Sequence, residues 1–144
     1  MGDAPVTEMT ADERDTFLGT GGMGVMSLST AEEEPPHSIP VSYGYDSVET
    51  NFYFRLAVAP DSAKGTLADR LVSFVVFGET DAVWRSIVAT GRLESTTDAA
   101  IANETLQGLE RVEIPLVDFF DKPVRDVEFE FYRLDPQAIS GRMA

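Results

Sequence analysis

Six segments of this chain have the composition of β-strands, and most of them alternate apolar and polar residues with a period of two. In residues 38–45, for example, every second side chain from Ile39 to Tyr45 is aliphatic or aromatic. The predicted strands are 24–30, 38–45, 50–57, 71–77, 83–94 and 127–132. Because these segments follow one another in hairpin-like succession, we predict a mainly β fold, an antiparallel β-barrel with flanking helices.

Local features of three of these strands can be predicted as well. Residues 71–77 are almost wholly apolar, which is typical of a strand buried on both faces. Pro40 cannot donate a backbone hydrogen bond, so its strand should lack a neighbour on one side at that point. Gly91, inside the longest strand, indicates a bulge or a close backbone approach.

Helices are predicted at the N-terminus and between the strands. Thr10 and Glu13 have the spacing of a capping box, which should open a helix that ends at the glycines from Gly19 onward. Residues 19–24 also match the G-x-G-x-x-G dinucleotide fingerprint, but a helix precedes them and a strand follows, which inverts the required order. We therefore interpret these glycines as a helix C-cap and turn. Further helical segments are predicted over 60–70, 97–109 and 115–120.

Length and composition limit the classes of protein to which the chain can belong. Its 144 residues predict one domain spanning 1–144, in which 1–23 form the N-terminal helix and turn. The 25 acidic residues outnumber the 11 basic ones and give a formal charge of −14, which opposes binding to nucleic acids and anionic membranes. So many carboxylates with so few lysines also favour a halophilic protein.

Metal sites and membrane segments are not predicted. The chain has no cysteine and one histidine, His37, so thiolate and multi-histidine metal centres are excluded. No apolar run approaches the roughly 18 residues of a membrane span, and the N-terminus lacks the features of a signal peptide. We expect a cytoplasmic location.

Two cations stand out in so acidic a chain. Arg55 shares a strand face with Asn51 and Tyr53, and Lys64 follows after a short connection. A guanidinium offers phosphate a bidentate fork and a lysine adds a point charge, so the pair could hold an anion. Pairing with two of the many carboxylates is the alternative. Trp84 could likewise stack on a planar ligand or belong to the core.

Four segments, taken in order, resemble the pyridoxamine 5′-phosphate oxidase-related, FMN-binding split β-barrel family. They are PHSIPVSY at 36–43, FYFR at 52–55, SAKG at 62–65 and WRSIVATGRLE at 84–94. The resemblance extends from about residue 24 to residue 133. It implies a six-stranded antiparallel split barrel that holds FMN in a groove at a homodimer interface.

The resemblance also implies which residues bind the cofactor. They are Val41, Ser42, Tyr43, Arg55, Lys64, Trp84, Arg85 and Ser86. Residues 41–43 would line the isoalloxazine ring through backbone and side-chain contacts, Arg55 and Lys64 would hold the 5′-phosphate, and Ser86 would touch the flavin. Ala63 stands where the family has an arginine, so the implied phosphate clamp has one cation fewer.

The implied activity is that of an FMN-dependent oxidoreductase, in which the flavin moves a hydride or electrons while the protein positions it. No catalytic side chain is therefore assigned. Residues 131–136 lack the histidine of the family's substrate motif, so oxidation of pyridoxamine phosphate itself is not expected. Two alternatives remain open: a non-enzymatic carrier or sensor of flavin, F420 or haem on the same fold, and a structural domain without a cofactor.

Overall fold

The structure of the protein is a computed structural model that describes residues 6–57, 67–96, 107–115 and 129–144. It contains one defined helix, α1 (Ala11–Leu18), within these ranges, and residues 107–110 form a further helical turn. The strands are β1 (Thr7–Glu8), β2 (Gly21–Leu28), β3 (His37–Asp46), β4 (Asn51–Ala57), β5 (Leu71–Thr80), β6 (Val83–Ser95), β7 (Phe129–Leu134) and β8 (Ala138–Met143).

The sheet closes on itself as a six-stranded barrel. Its strands follow the order β6-β5-β2-β3-β4-β7, and β7 pairs back onto β6. Every ladder is antiparallel, which confirms the predicted mainly β fold and the six-stranded antiparallel split barrel. Strands β8 and β1 are added outside the barrel, on the free side of β6.

The barrel is split because different parts of β6 pair with different strands. Of its 13 residues, 85–90 pair with β8 and 93–95 pair with β7. The β2–β5 ladder covers only Val25–Leu28 on the β2 side, so β5, β6 and β8 continue past the barrel as a separate ribbon. Helix α1 is attached beside this opening, where the Tyr45 hydroxyl donates to Asp15 Oδ1 at 2.6 Å.

An aromatic cluster fills the barrel. Its rings meet edge-to-face or tilted for the most part, with centroids 4.8–6.3 Å apart. The members are Tyr43, Tyr45, Phe52, Phe54 and Phe74, all of them buried. Such contacts add about 0.5–1.5 kcal/mol per pair to the stability gained by burial, so this cluster fixes which face of each strand points inward.

Several local predictions are confirmed. Thr10 and Glu13 form both hydrogen bonds of the capping box at the start of α1. Strand β3 pairs at Pro40 with β2 alone, since its ladder with β4 begins only at Tyr43. A Cβ at Gly91 would lie 3.3 Å from the backbone atoms Asp135 O and Gln137 N, which is the predicted close backbone approach.

Two predictions about strands are wrong. Strand β5 is not buried on both faces, because its outer face lies outside the barrel and leaves Leu71 and Phe77 44% and 63% exposed. Residues 21–23 belong to β2 rather than to a turn, and only Gly19, with φ of 61°, forms the C-cap. Strands β1 and β8 were not predicted. The predicted helix over 60–70 is described only at 67–70, which form a turn, and most of the predictions for 97–109 and 115–120 lie outside the described residues.

Residues 107–115, which we call the strap, cross the outside of the barrel. Arg111 donates from Nε and Nη2 to the two carboxylate oxygens of Asp46, both at 2.7 Å. The Glu113 amide donates to the Thr20 carbonyl at 3.0 Å. The strap passes close over Gly44, where a Cβ would lie only 2.7 Å from Val112. The absence of a side chain at Gly44 therefore makes room for the strap. The strap is thus held by an ion pair, a backbone hydrogen bond and the close packing of Val112 against Gly44.

This ion pair makes the free energy of unfolding depend on pH in the acid range. Burial alone raises the pKa of Asp46, but hydrogen bonds from Arg111 and from the Val48 amide outweigh it and lower the pKa below the ordinary 3.8. A carboxyl group whose pKa is lower in the folded than in the unfolded protein stabilises the fold at pH values above its unfolded-state pKa. This stabilisation is lost as the pH falls through the folded-state pKa. We expect Asp46→Asn to cost about 2 kcal/mol at pH 7 and to flatten the decline of the melting temperature below about pH 4.

Calorimetry of both proteins from pH 7 to pH 2.5 measures this effect. Glu33→Gln, in an exposed loop, is the matched control and should retain the acid sensitivity of the parent. Parallel pH profiles for the parent and Asp46→Asn would show that this ion pair does not contribute to the acid response.

Candidate cofactor-binding surfaces

The first surface is a patch on the outside of β3 and β4, which we call the β3–β4 patch and define by Ser42 and Arg55. In the ladder, Tyr43 lies opposite Phe54, and both rings point into the barrel. The next residue on each strand, Ser42 and Arg55, therefore faces outward. The same register continued by one residue places them opposite each other. The Ser42 hydroxyl lies 3.2 Å from Met23 Sδ.

The two strands of this patch diverge at Ser42 and Arg55. Their ladder ends at Tyr43 and Phe54, after which β4 pairs with β7 alone. In the part of the chain that the structure describes, no strand pairs with this side of β3 at Val41 and Ser42. Backbone groups of β3 at this edge thus have no strand partner among the described residues, although Val41 and Ser42 are themselves buried.

The second surface is a groove on the ribbon that extends past the barrel, which we call the β5–β8 groove. It has a cavity volume of about 400 Å³. Its lining residues are Val6, Phe77, Trp84, Arg85, Ser86, Arg142, Met143 and Ala144. Phe77, Ser86 and Arg142 occupy one cross-strand row, and Trp84 lies on the next row, 54% exposed.

The charge of this groove differs from that of the whole chain. Among the residues that the structure describes, Arg85 and Arg142 line it and no aspartate or glutamate does, although the chain carries a net charge of −14. Two glutamates, Glu8 and Glu79, occupy the outer ends of the two rows. Exposed aromatic rings beside guanidinium groups suit a planar ligand that carries negative charge.

The structure divides the predicted site residues into three groups. Ser42 and Arg55 form the β3–β4 patch, and Trp84, Arg85 and Ser86 line the β5–β8 groove. Lys64 lies outside the described residues. On the outside of the barrel, β2 separates the patch on β3 and β4 from the groove, which begins at β5.

Val41 and Tyr43 point their side chains into the barrel rather than outward. The Tyr43 ring is 2% exposed, and its hydroxyl donates to the Leu18 carbonyl at 3.0 Å. Burial raises the pKa of Tyr43 to about 12, so the phenol is neutral at physiological pH. What these two residues present to the outside is their backbone. Their assignment to the cofactor site stays a prediction.

Arg85 also lines a second cavity, of about 560 Å³, on the side of the ribbon that faces α1. Its Nη1 donates to the Thr80 carbonyl at 3.0 Å, which holds the side chain near the β5–β6 turn. The other residues of this cavity include Phe17 and the carboxylates Asp12, Glu13 and Asp81.

Sequence reasoning missed Phe77 and Arg142. Phe77 was assigned to a strand buried on both faces, and β8 was not predicted. The signal for β8 was present but short: Ile139, Gly141 and Met143 alternate with polar or small residues over six positions.

Neither a metal site nor a membrane helix is found in the described ranges. There, no three histidine or acidic side chains come close enough together to hold a metal ion. No helix described by the structure is long and apolar enough to cross a membrane.

Comparison with known proteins adds a family and a set of related folds. The sequence profile described as "Pyridoxamine 5'-phosphate oxidase" matches residues 10–143. A candidate pyridoxamine 5′-phosphate oxidase of Corynebacterium glutamicum has a similar structure, with a TM-score of 0.70, 19% identity and coverage of 97% of this chain and 98% of that one. No curated protein matches the sequence.

Two further proteins of similar structure are described as binding FAD or haem. An FAD-binding protein of Mesorhizobium loti has a TM-score of 0.68 and 19% identity, over 96% of this chain and 98% of that one. An FAD- and haem-binding protein of Mycobacterium smegmatis has a TM-score of 0.62 and 13% identity, over 96% and 73%. At such identities these likenesses establish the fold.

Proposed function

The chain belongs to the pyridoxamine 5′-phosphate oxidase family, and on that premise we propose that it is a homodimeric, FMN-binding oxidoreductase. The bound flavin supplies the transfer of hydride or electrons, and the protein holds and orients the ring. Oxidation of pyridoxamine phosphate is not part of the proposal, since 131–136 lack the histidine of that substrate motif.

The observation that carries the proposal is the chemistry of the β5–β8 groove. Phe77 and Trp84 expose aromatic faces there, and Arg142 contributes positive charge. Ser86, between them, offers a hydroxyl to the polar edge of a heterocycle. A flavin nucleotide combines these requirements, because it has a planar ring and a negative charge.

Arg55 supports a second point of attachment, for the phosphate. It lies on the outer face of β4, beside the edge of β3 at Val41 and Ser42 that no described strand pairs with. Arg55 and Lys64 together would hold a dianionic phosphate through charge-assisted hydrogen bonds. The ring would then lie along the backbone of 41–43.

The distance between the two surfaces on one protomer supports homodimerisation. From β4 to β6, by way of β3, β2 and β5, the sheet takes four strand steps, or about 19 Å at the usual spacing. By way of β7 there are two steps, but β7 meets β6 only at Leu93–Ser95, about 30 Å along β6 from Trp84. One FMN would contact both surfaces most directly if the β3–β4 patch came from one protomer and the β5–β8 groove from its partner. The exposed Leu71, Phe77, Trp84 and Val88 on the outer face of β5 and β6 supply an apolar area for such a contact.

The spectrum and mass of the purified protein test the proposal. We expect protein purified in molar KCl, or refilled with FMN, to show the two visible bands of oxidised flavin and to sediment as a dimer of 15.7 kDa chains. Consumption of NAD(P)H with an artificial acceptor would establish the oxidoreductase. A colourless monomer that does not bind added FMN would refute the proposal.

A non-catalytic carrier is the second candidate, favoured by the haem-binding description of the M. smegmatis structure. His37, half-buried at the start of β3, is the one histidine of the chain that could ligate haem iron. Titration with haemin distinguishes this candidate, because a ligated haem has a sharp Soret band that His37→Ala should remove. If the carried group is F420, the purified protein should show the absorbance of F420 and should bind F420 more tightly than FMN.

A further inference from the structure

Arg142 occupies a fixed position in the β5–β8 groove. Strand β8 pairs with β6 from Arg85↔Met143 to Thr90↔Ala138, and this ladder places Arg142 directly opposite Ser86. The row continues to Phe77 on β5 and to Glu8 on β1. Two backbone hydrogen bonds between Trp84 and Ala144, at 2.9 and 3.0 Å, fix the end of the ladder. The backbone that carries Arg142 is therefore held on both sides.

The charge of Arg142 is available to a ligand in the groove. Within the described ranges Arg142 makes no salt bridge, whereas Arg111 and Arg133 each pair with a carboxylate. Glu8 lies across from it on β1, at the rim, and is the nearest acidic residue in the row. The backbone of Arg142 lies one strand spacing, about 5 Å, from that of Ser86, and two spacings, about 10 Å, from that of Phe77; these are the residues that would contact a ring.

Reduction changes the charge of a flavin ring. Two electrons and one proton convert the neutral oxidised ring into a reduced ring with one negative charge. A positive charge at the ring therefore stabilises the reduced form more than the oxidised form. Arg142 provides such a charge in the groove, and Glu8 opposes it.

We propose that Arg142 raises the reduction potential of the bound flavin by preferentially stabilising the reduced, anionic ring, and that Glu8 limits this effect. The inference rests on the proposed function, because it requires FMN in the β5–β8 groove. It assigns Arg142 to tuning the cofactor rather than to any step on a substrate.

The reduction potential of FMN-loaded protein, measured by dithionite titration against a reference dye, tests the inference. Dithionite supplies the electrons and the buffer supplies the proton. We expect Arg142→Met to weaken the binding of reduced FMN about tenfold relative to oxidised FMN, which lowers the two-electron potential by about 30 mV. Arg142→Lys should retain most of the potential, and Glu8→Gln should raise it.

Arg92→Met is the matched control, since Arg92 lies on the outer face of the same strand but six residues beyond Ser86, or about 20 Å along β6. It removes the same charge from the protein and should leave the potential unchanged. Equal potentials for the parent, Arg142→Met and Glu8→Gln, with FMN retained, would overturn the inference and leave the proposed function intact. Failure of the parent protein to bind FMN would overturn the proposed function instead.

Discussion

Replacement of both Arg55 and Lys64 by alanine is expected to weaken FMN binding by at least a hundredfold. Each cation should contribute about 1.5–3 kcal/mol through charge-assisted hydrogen bonds to the phosphate, and every 1.4 kcal/mol is a factor of ten in affinity. Arg55 lies on the outer face of β4, away from the aromatic cluster of the barrel, so the fold should tolerate the change. Titration of the apoprotein with FMN, followed by flavin fluorescence, measures the loss.

Riboflavin provides the control ligand, because it carries the same ring without the phosphate. It should bind the parent and the double variant with equal affinity. Arg92→Ala, which removes an exposed cation from β6, is the matched control for net charge. Unchanged FMN affinity in a folded double variant would discard the assignment of Arg55 and Lys64.

The melting temperature is expected to rise by about 10 °C or more between 0.1 M and 2 M KCl. A net charge of −14 on 144 residues repels itself, and added salt shortens the screening length from about 10 Å at 0.1 M to about 3 Å at 1 M. For a domain of this size, 10 °C corresponds to about 3 kcal/mol of added stability. Thermal unfolding followed by circular dichroism over a series of KCl concentrations measures the effect.

The exposed acidic loop offers a variant that separates charge repulsion from other effects of salt. Replacing Glu32, Glu33 and Glu34 together by glutamine removes three like charges from a loop in which all three residues are exposed. The variant should melt higher than the parent at low salt and equally in molar KCl. A melting temperature that does not respond to KCl would show that the chain is acidic without being halophilic.

Local signals were sufficient to predict most of the strands and the first helix. Alternation places Ile39, Val41 and Tyr43 on one face of β3, and the barrel core contacts that face. The capping box at Thr10 and Glu13 involves residues three apart, so no long-range contact was needed to predict it.

Features that depend on pairing between strands far apart in the sequence could not be predicted from these local signals. Closure of the barrel requires β7 to pair with both β4 and β6, across long sequence separations. The apolar run of β5 predicted burial on both faces, whereas its outer residues, among them Phe77, lie in the β5–β8 groove or on the exposed ribbon. Alternation gives the two faces of a strand but not what covers each of them.

The candidate site was predicted in part for the same reason. Arg55, Trp84 and Ser86 were selected by residue type and by resemblance, and all three occupy outward-facing positions. Arg142 was missed because β8 is short and its register with β6 is set by packing. The separation of Arg55 from Trp84, with β3, β2 and β5 between their strands on one side and β7 on the other, became apparent only from the order of the sheet.

The fluorescence of Trp84 tests the central claim most directly, since it is the only tryptophan of the chain and lines the β5–β8 groove. Titration of the apoprotein with FMN in molar KCl should quench its emission saturably, reaching a plateau at one FMN per chain. N-acetyltryptophanamide at the same absorbance corrects for light absorbed by free FMN. Emission that falls no further than in this reference would contradict the placement of the flavin in the groove.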